Sequence, residues 1–156
     1  MEDPVCVANT GIRAGVSCFS FGEDGLKPLD QARRPFYLNQ TTPPVGNPNT
    51  VSQIFFNEDS SALITLVKGD PRVVGNHGFV SYFPSIDGQV SRHEVLSSPN
   101  GTTTLFGSAI IPGTSRMLTT DPNFGAAMIE IEKSGEAKTV LRTVIPGQIA
   151  SCVSSQ

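Results

Sequence analysis

Three stretches of this chain share one layout: "GVSCFSFGEDG" (15–25), "GFVSYFPSIDG" (78–88) and "GAAMIEIEKSG" (125–135). Each runs from a glycine through a strand-like stretch to a second glycine ten positions on. Recurrence of this kind restricts a chain to an architecture of repeated supersecondary units that bury their faces against one another. The surroundings of the motif recur as well. "VSQIFFNEDSSALITLVKG" precedes Gly78, and "LFGSAIIPGTSRMLTTD" precedes Gly125. Both read as apolar strand, polar turn, apolar strand, with Asn57-Glu58-Asp59-Ser60 and Pro112-Gly113-Thr114-Ser115 as the turns. After the third strand comes Asp87-Gly88 or Ser134-Gly135, and Asp-Gly between strand-like runs signals a hairpin. A fourth strand follows, "QVSRHEVL" (89–96) or "EAKTVLRTV" (136–144).

Four antiparallel strands in about fifty residues are the sequence signature of a β-propeller blade. The fold class is therefore all-β, with about three blades' worth of strands forming a partial propeller over residues 1–156. Residues 50–96 and 104–144 each supply a blade, and 5–34 supply the last three strands of another ("VCVAN", "GVSCFSF", "LKPLDQA"). "GQIASCVS" (147–154) reads as the first strand of a further blade. The expectation is a segment of a larger propeller, with the inner strand of each blade ("VSQIFF", "FGSAII") the most buried and the outer strand carrying the charge. The partners expected are the remaining blades, or further copies joined through the open edges at Val5–Ala8 and 148–153.

Composition agrees with short strands and many turns. Charged residues are 16%, and the chain holds 15 glycines and 12 prolines. A net charge of −3 gives no basic footprint, so nucleic acid is not an expected partner. No apolar run is long enough for a membrane helix, so no membrane partner is expected. "MEDPVCVANTG" lacks the basic and apolar segments of a signal peptide. Cys6, Cys18 and Cys152 include no CxxC pair, which argues against zinc. Cys6 and Cys18 lie in neighbouring strands, either as a cross-strand disulfide or as two buried thiols. Sequons at Asn39 and Asn100 sit in turn-rich surroundings as candidate glycosylation sites.

The phrases "LNQTTPPVGNPNTVSQIFFNEDSSALITLVKGDP", "GFVSYFP", "LFGSAIIPGTSRMLTTDPNFGAAM" and "PGQIASC" together resemble fungal lactonase-like β-propellers of the 3-carboxymuconate cyclase-like type. The resemblance runs from Val5 to Cys152. It implies a seven-bladed propeller, an extracellular setting, and an isomerase or lactonase reaction: interconversion of a muconate with its lactone, or hydrolysis of a sugar lactone. A small lactone or organic acid would be the ligand, and no cofactor is implied.

In a propeller the loops after strands 2 and 4 share the face at the channel mouth. The second strands end at Asn9, Lys68 and Asp121, one per blade, with Arg13, Asp70, Arg72 and His77 in the adjoining loops and Arg34 and Tyr37 on the connection after the first blade. A polycarboxylate substrate calls for Arg clamps and an acid/base. The channel-lining first strands offer neither, only Thr50, Ser52, Gln53, Thr104 and Ser108. His77 and Arg72 are the catalytic candidates. Lys68, Asp121, Asn9, Arg13 and Gln53 are the binding candidates. Each also has a plainer reading: His77 as a solvated loop residue, Asp121 as a turn cap before Pro122, Lys68 and Arg72 as solvated charges. Lys68 and Asp121 could also pair across blades. With two histidines, His77 and His93, a His-rich metal site is not expected, and calcium held by Asp70 and Asp121 is the remaining alternative. Two functions follow: an enzyme of the lactonase or cyclase type acting through a complete ring, or a non-catalytic propeller segment. The chemistry of the inner strands favours the second.

Overall fold

The structure, a computed structural model, describes residues 4–30 and 32–147. The strand expected beyond Gly147, and Cys152, lie outside the described residues. Thirteen strands and no helix are found among the described residues, arranged as three antiparallel sheets in chain order. The first holds β1 (Pro4–Asn9), β2 (Gly15–Gly22), β3 (Gly25–Pro28) and β4 (Arg34–Pro35). The second holds β5 (Val51–Phe56), β6 (Ala62–Val67), β7 (Phe79–Ile86), β8 (Gln89–Val90) and β9 (Val95–Ser97). The third holds β10 (Ser108–Ile110), β11 (Arg116–Asp121), β12 (Gly125–Ile131) and β13 (Ala137–Val144). These are the arcs of a partial β-propeller, and the three glycine-flanked stretches are the third strands β2, β7 and β12.

The glycines of the repeat have separate tasks. The second one closes the hairpin to the fourth strand. Ile86 pairs with Gln89, so Asp87-Gly88 form a two-residue loop, with φ of 50° and 75°. Both values are positive, as a type I′ turn requires, and glycine adopts them without strain. The first one lets strands close up: a Cβ on Gly15 or Gly125 would strike the carbonyl oxygen of Arg34 or Thr143.

β6 shows how the blades stack. All six of its residues are buried, and successive side chains point to opposite neighbours. Leu63 and Val67 join Val16, Cys18, Phe36, Leu38 and Phe83 in a core between blades 1 and 2. Ile64 and Leu66 join Val80, Leu105, Met117, Ile129 and Ala137 in a core between blades 2 and 3. This corrects the expectation that the inner strand is the most buried. The inner strand β5 is half-buried throughout. β6 has a hydrogen-bonded strand on each edge and a blade on each face, whereas β5 leaves one edge open on the channel side.

The outer position also departs from the sequence reading. It is one continuous strand only in blade 3. In blade 1, β3 and β4 both pair with β2, and in blade 2, β8 and β9 both pair with β7. The gaps are filled by side chains. Arg34, 4% exposed, donates to the carbonyls of Val90 (2.5 Å) and Ser91 (2.6 Å) and to Asp30 (2.5 Å). Glu94, read as part of a charged outer strand, instead turns inward and accepts a hydrogen bond from the buried Ser81 hydroxyl. His93 stays exposed.

Burial raises the Glu94 carboxyl above its ordinary value of 4.5, and the Ser81 bond only partly offsets this. The folded state therefore binds this proton more tightly than the unfolded chain does. The resulting stabilisation is full below the ordinary glutamate value and is lost as pH rises through the raised one. Glu94→Gln keeps a partner for Ser81 and removes the titration. Urea melts from pH 4 to 8 should show wild type losing stability relative to Glu94→Gln across that interval; parallel curves would contradict this account.

Cys6 and Cys18 face each other across β1 and β2 and form a disulfide, with Cα atoms 4.1 Å apart.

Candidate functional site

The rim of the blades carries one residue in the same place three times. Asn9 ends β1 opposite Gly15, Asp121 ends β11 opposite Gly125, and Lys68 follows β6 where Gly78 precedes β7. Their surroundings give them different tasks.

Asn9 is exposed and its amide donates to the Arg13 carbonyl at 2.7 Å, closing its own turn. Arg13 thus enters the rim through its backbone, with its side chain exposed.

Asp121 is fully buried. One carboxylate oxygen accepts from the backbone N–H of Thr103 (2.7 Å) and Thr104 (2.8 Å). The other accepts from the backbone and side chain of Asn123, at 3.0 and 2.7 Å. This is an Asx-type cap that also grips the segment entering the blade. No carboxylate pairs with Lys68 among the described residues, so the cross-blade Lys68–Asp121 pair does not form.

Asp70 is buried and engaged by Arg72, whose Nε and Nη2 donate to its two oxygens at 2.9 and 3.0 Å. Those hydrogen bonds hold the Asp70 carboxyl below, and the Arg72 guanidinium above, their ordinary values. The Arg72 fork is thereby occupied, although its side chain is 76% exposed. His77 is exposed, with Nδ1 3.2 Å from the Thr102 carbonyl. Among the described residues no three of His, Cys, Asp and Glu assemble into a metal-binding group. Gln53 sits on the inner strand, and its amide exchanges two hydrogen bonds with the backbone of Ser108 at 2.7 and 2.8 Å. It acts as an extra rung joining β5 to β10. Tyr37 is 94% exposed on the connection. Asn39 and Asn100 are exposed.

Lys68 differs from all of these. Its Nζ donates to Thr50 Oγ1 at 3.3 Å and lies 4.8 Å from the centre of the Phe106 ring. Thr50 precedes the inner strand β5, and Phe106 precedes the inner strand β10. The ammonium is therefore held at the channel mouth between two blades. Partial burial pulls its pKa below the ordinary lysine value. The Phe106 quadrupole offsets part of the lost hydration. Among the described residues it has no acidic partner. Phe106 gave no signal in the sequence, because it meets Lys68 only when consecutive blades stack.

No family model matches the sequence, and no curated protein matches it. Among solved structures, the chain is similar to the periplasmic gluconolactonase PpgL of Pseudomonas aeruginosa, with a TM-score of 0.56 and 16% identity. The likeness covers 87% of this chain and 37% of that one, so the chain spans little more than a third of the length of the structure it matches. At this identity the two share a fold: the chain is an arc of a β-propeller of the kind seen in a lactonase.

Proposed function

We propose that this chain is a non-catalytic arc of a lactonase-like propeller, and that it binds a small organic acid or lactone through Lys68 at the channel mouth. The observation that carries this reading is a half-buried ammonium with an aromatic face beside it and no acidic partner among the described residues. A desolvated cation of this kind gains from a carboxylate or a polarised lactone carbonyl supplied by a ligand.

Lactone hydrolysis needs a group that activates water and donors placed for the oxyanion. Most of the candidates that could serve are committed elsewhere: Asp121 to four N–H donors, Arg72 to Asp70, Gln53 to Ser108. The second reading, hydrolysis of a sugar lactone or lactonisation of a muconate by a complete ring, is supported by the fold likeness to a gluconolactonase. It requires the missing groups to come from other blades. Such blades would cover the apolar faces left open at the two ends of the arc: Val5, Val7, Phe21 and Leu26 on blade 1, and Leu141 on blade 3. An extracellular setting, with glycans on Asn39 and Asn100, belongs to the same proposal.

Titration of the full chain with gluconate and gluconolactone, followed by amide NMR shifts, tests this reading. Gluconate should shift residues 49–53, 67–69 and 106. Lys68→Met should weaken binding about tenfold, the value of roughly 1.4 kcal/mol of lost ion pairing. Lactone should decay no faster than in buffer. Binding unaffected by Lys68→Met would remove the site, and lactone turnover abolished by His77→Ala would remove the non-catalytic reading.

A further inference from the structure

At the end of β6 away from Lys68, blades 2 and 3 part to form a cleft of about 770 Å³. Its walls are the turn before β6, the turn before β11, and the end of β12. The floor is apolar: Ile64 and Met117 are 2% and 1% exposed, with Ile110 and Ile131 beside them. Glu58 bridges the two turns, its Oε2 accepting the Gly113 N–H at 2.7 Å, so the cleft is tied across its mouth.

The charges around this floor do not cancel. Glu58, Asp59, Glu130 and Glu132 face two cations, Arg116 and Lys133. Arg116 is taken by Glu130 at 3.2 Å, and Glu132 is bound by Lys138 from outside the lining. Asp59 accepts the Ser61 N–H at 3.0 Å and is further hydrogen-bonded by the Ser61 and Asn57 side chains, but has no cationic partner among the described residues. Hydrogen bonds from Ser61 hold its carboxyl below the ordinary value, so it stays ionised at neutral pH. The half-buried Tyr82 lines the cleft, and its hydroxyl has no hydrogen-bond partner among the described residues. Burial, and then the charge of Asp59, raise the phenol above its ordinary value, so it remains protonated.

We propose that this cleft binds a primary alkylammonium, its head held by the Asp59 carboxylate and the Tyr82 hydroxyl and its chain laid on Ile64, Met117 and Ile131. An apolar floor under a net negative rim selects for this combination and against a carboxylate, and among the described residues no three of His, Cys, Asp and Glu assemble there to hold a metal ion. The site is independent of Lys68, and neither proposal needs the other. A free amine and a lysine side chain carry the same chemistry, and the experiment separates them.

The full chain is titrated with hexylammonium chloride, blocked lysine amide, hexanol and hexanoate, and amide shifts are followed. Hexylammonium or the lysine amide should shift residues 57–61, 113–117 and 130–133, and the tighter of the two identifies the source. Asp59→Asn, at an exposed turn position that asparagine suits, should weaken binding about tenfold, and Lys133→Ala should tighten it. Hexanoate binding as tightly as hexylammonium, or affinity unchanged in Asp59→Asn, would overturn the proposal.

Discussion

Arg34→Ala is expected to lower folding stability by about 3–5 kcal/mol, the range for breaking a buried, hydrogen-bonded ion pair by removing one partner. The guanidinium is 4% exposed and its donors are spread over three acceptors: Asp30 and the carbonyls of Val90 and Ser91. It also stacks 5.8 Å from the centre of the Phe83 ring and touches Cys18 Sγ at 3.7 Å. Its removal leaves two backbone carbonyls without their donor, in the gap where the fourth strand of blade 2 is interrupted. Among the described residues Asp30 keeps only Arg92, at 3.6 Å and more than half exposed. Arg34→Lys should recover only part of the loss, because a point charge cannot serve a fork of three acceptors. Urea denaturation of the three proteins measures this. A loss below about 1 kcal/mol for Arg34→Ala would place Arg34 among surface charges and remove it as the staple between blades 1 and 2.

What the sequence made legible is local. The Asp87-Gly88 hairpin and the pairing of second with third strands depend on neighbours within one blade, and short-range patterns encode them. The links between blades were not legible. Gln53 meets Ser108 and Arg34 meets Ser91 across separations of 55 and 57 residues, and no spacing rule connects them. The broken outer strands follow from the same cause. A chain that reads as eight continuous strand residues at 89–96 gives up its middle to satisfy Arg34 of the preceding blade. Burial of the inner strand was misjudged because hydropathy reports what a strand could bury, not which edge the ring leaves open.

The rim shows the same division. Its three positions follow from the repeat, since strand ends are a property of each blade. Their roles do not, because each depends on partners the repeat does not place: its own turn for Asn9, the segment entering the blade for Asp121, and Phe106 of the next blade for Lys68. Thr103 and Thr104 come to Asp121, Thr50 and Phe106 come to Lys68, and the Arg13 carbonyl comes to Asn9. A carboxylate that reads as a binding candidate is fully used in one blade, while the equivalent lysine in another keeps its charge without an acidic partner among the described residues.

Asp121→Ala tests that distinction. The carboxylate is 0% exposed and accepts four N–H groups, three of them backbone. Alanine leaves the Thr103 and Thr104 N–H groups without their partner, at about 1–3 kcal/mol each before relaxation, whereas the exposed Asn123 can turn to water. The expected net loss is about 2–4 kcal/mol. The damage should spread in a particular direction. Thr103, whose N–H Asp121 holds, accepts through its own carbonyl from the N–H groups of Gly69 (3.0 Å) and Gly78 (2.8 Å) in blade 2. Release of Thr103 therefore loosens the joint between blades, and the amides of Gly69, Gly78, Thr103 and Thr104 should lose hydrogen-exchange protection before those of the β12–β13 pair. Asp121→Asn keeps one acceptor oxygen but turns an amide NH₂ toward N–H donors, so it should be intermediate. The opposite result, unchanged stability and exchange with organic-acid binding lost, would make Asp121 a ligand-binding group and end its assignment as the clamp between blades 2 and 3.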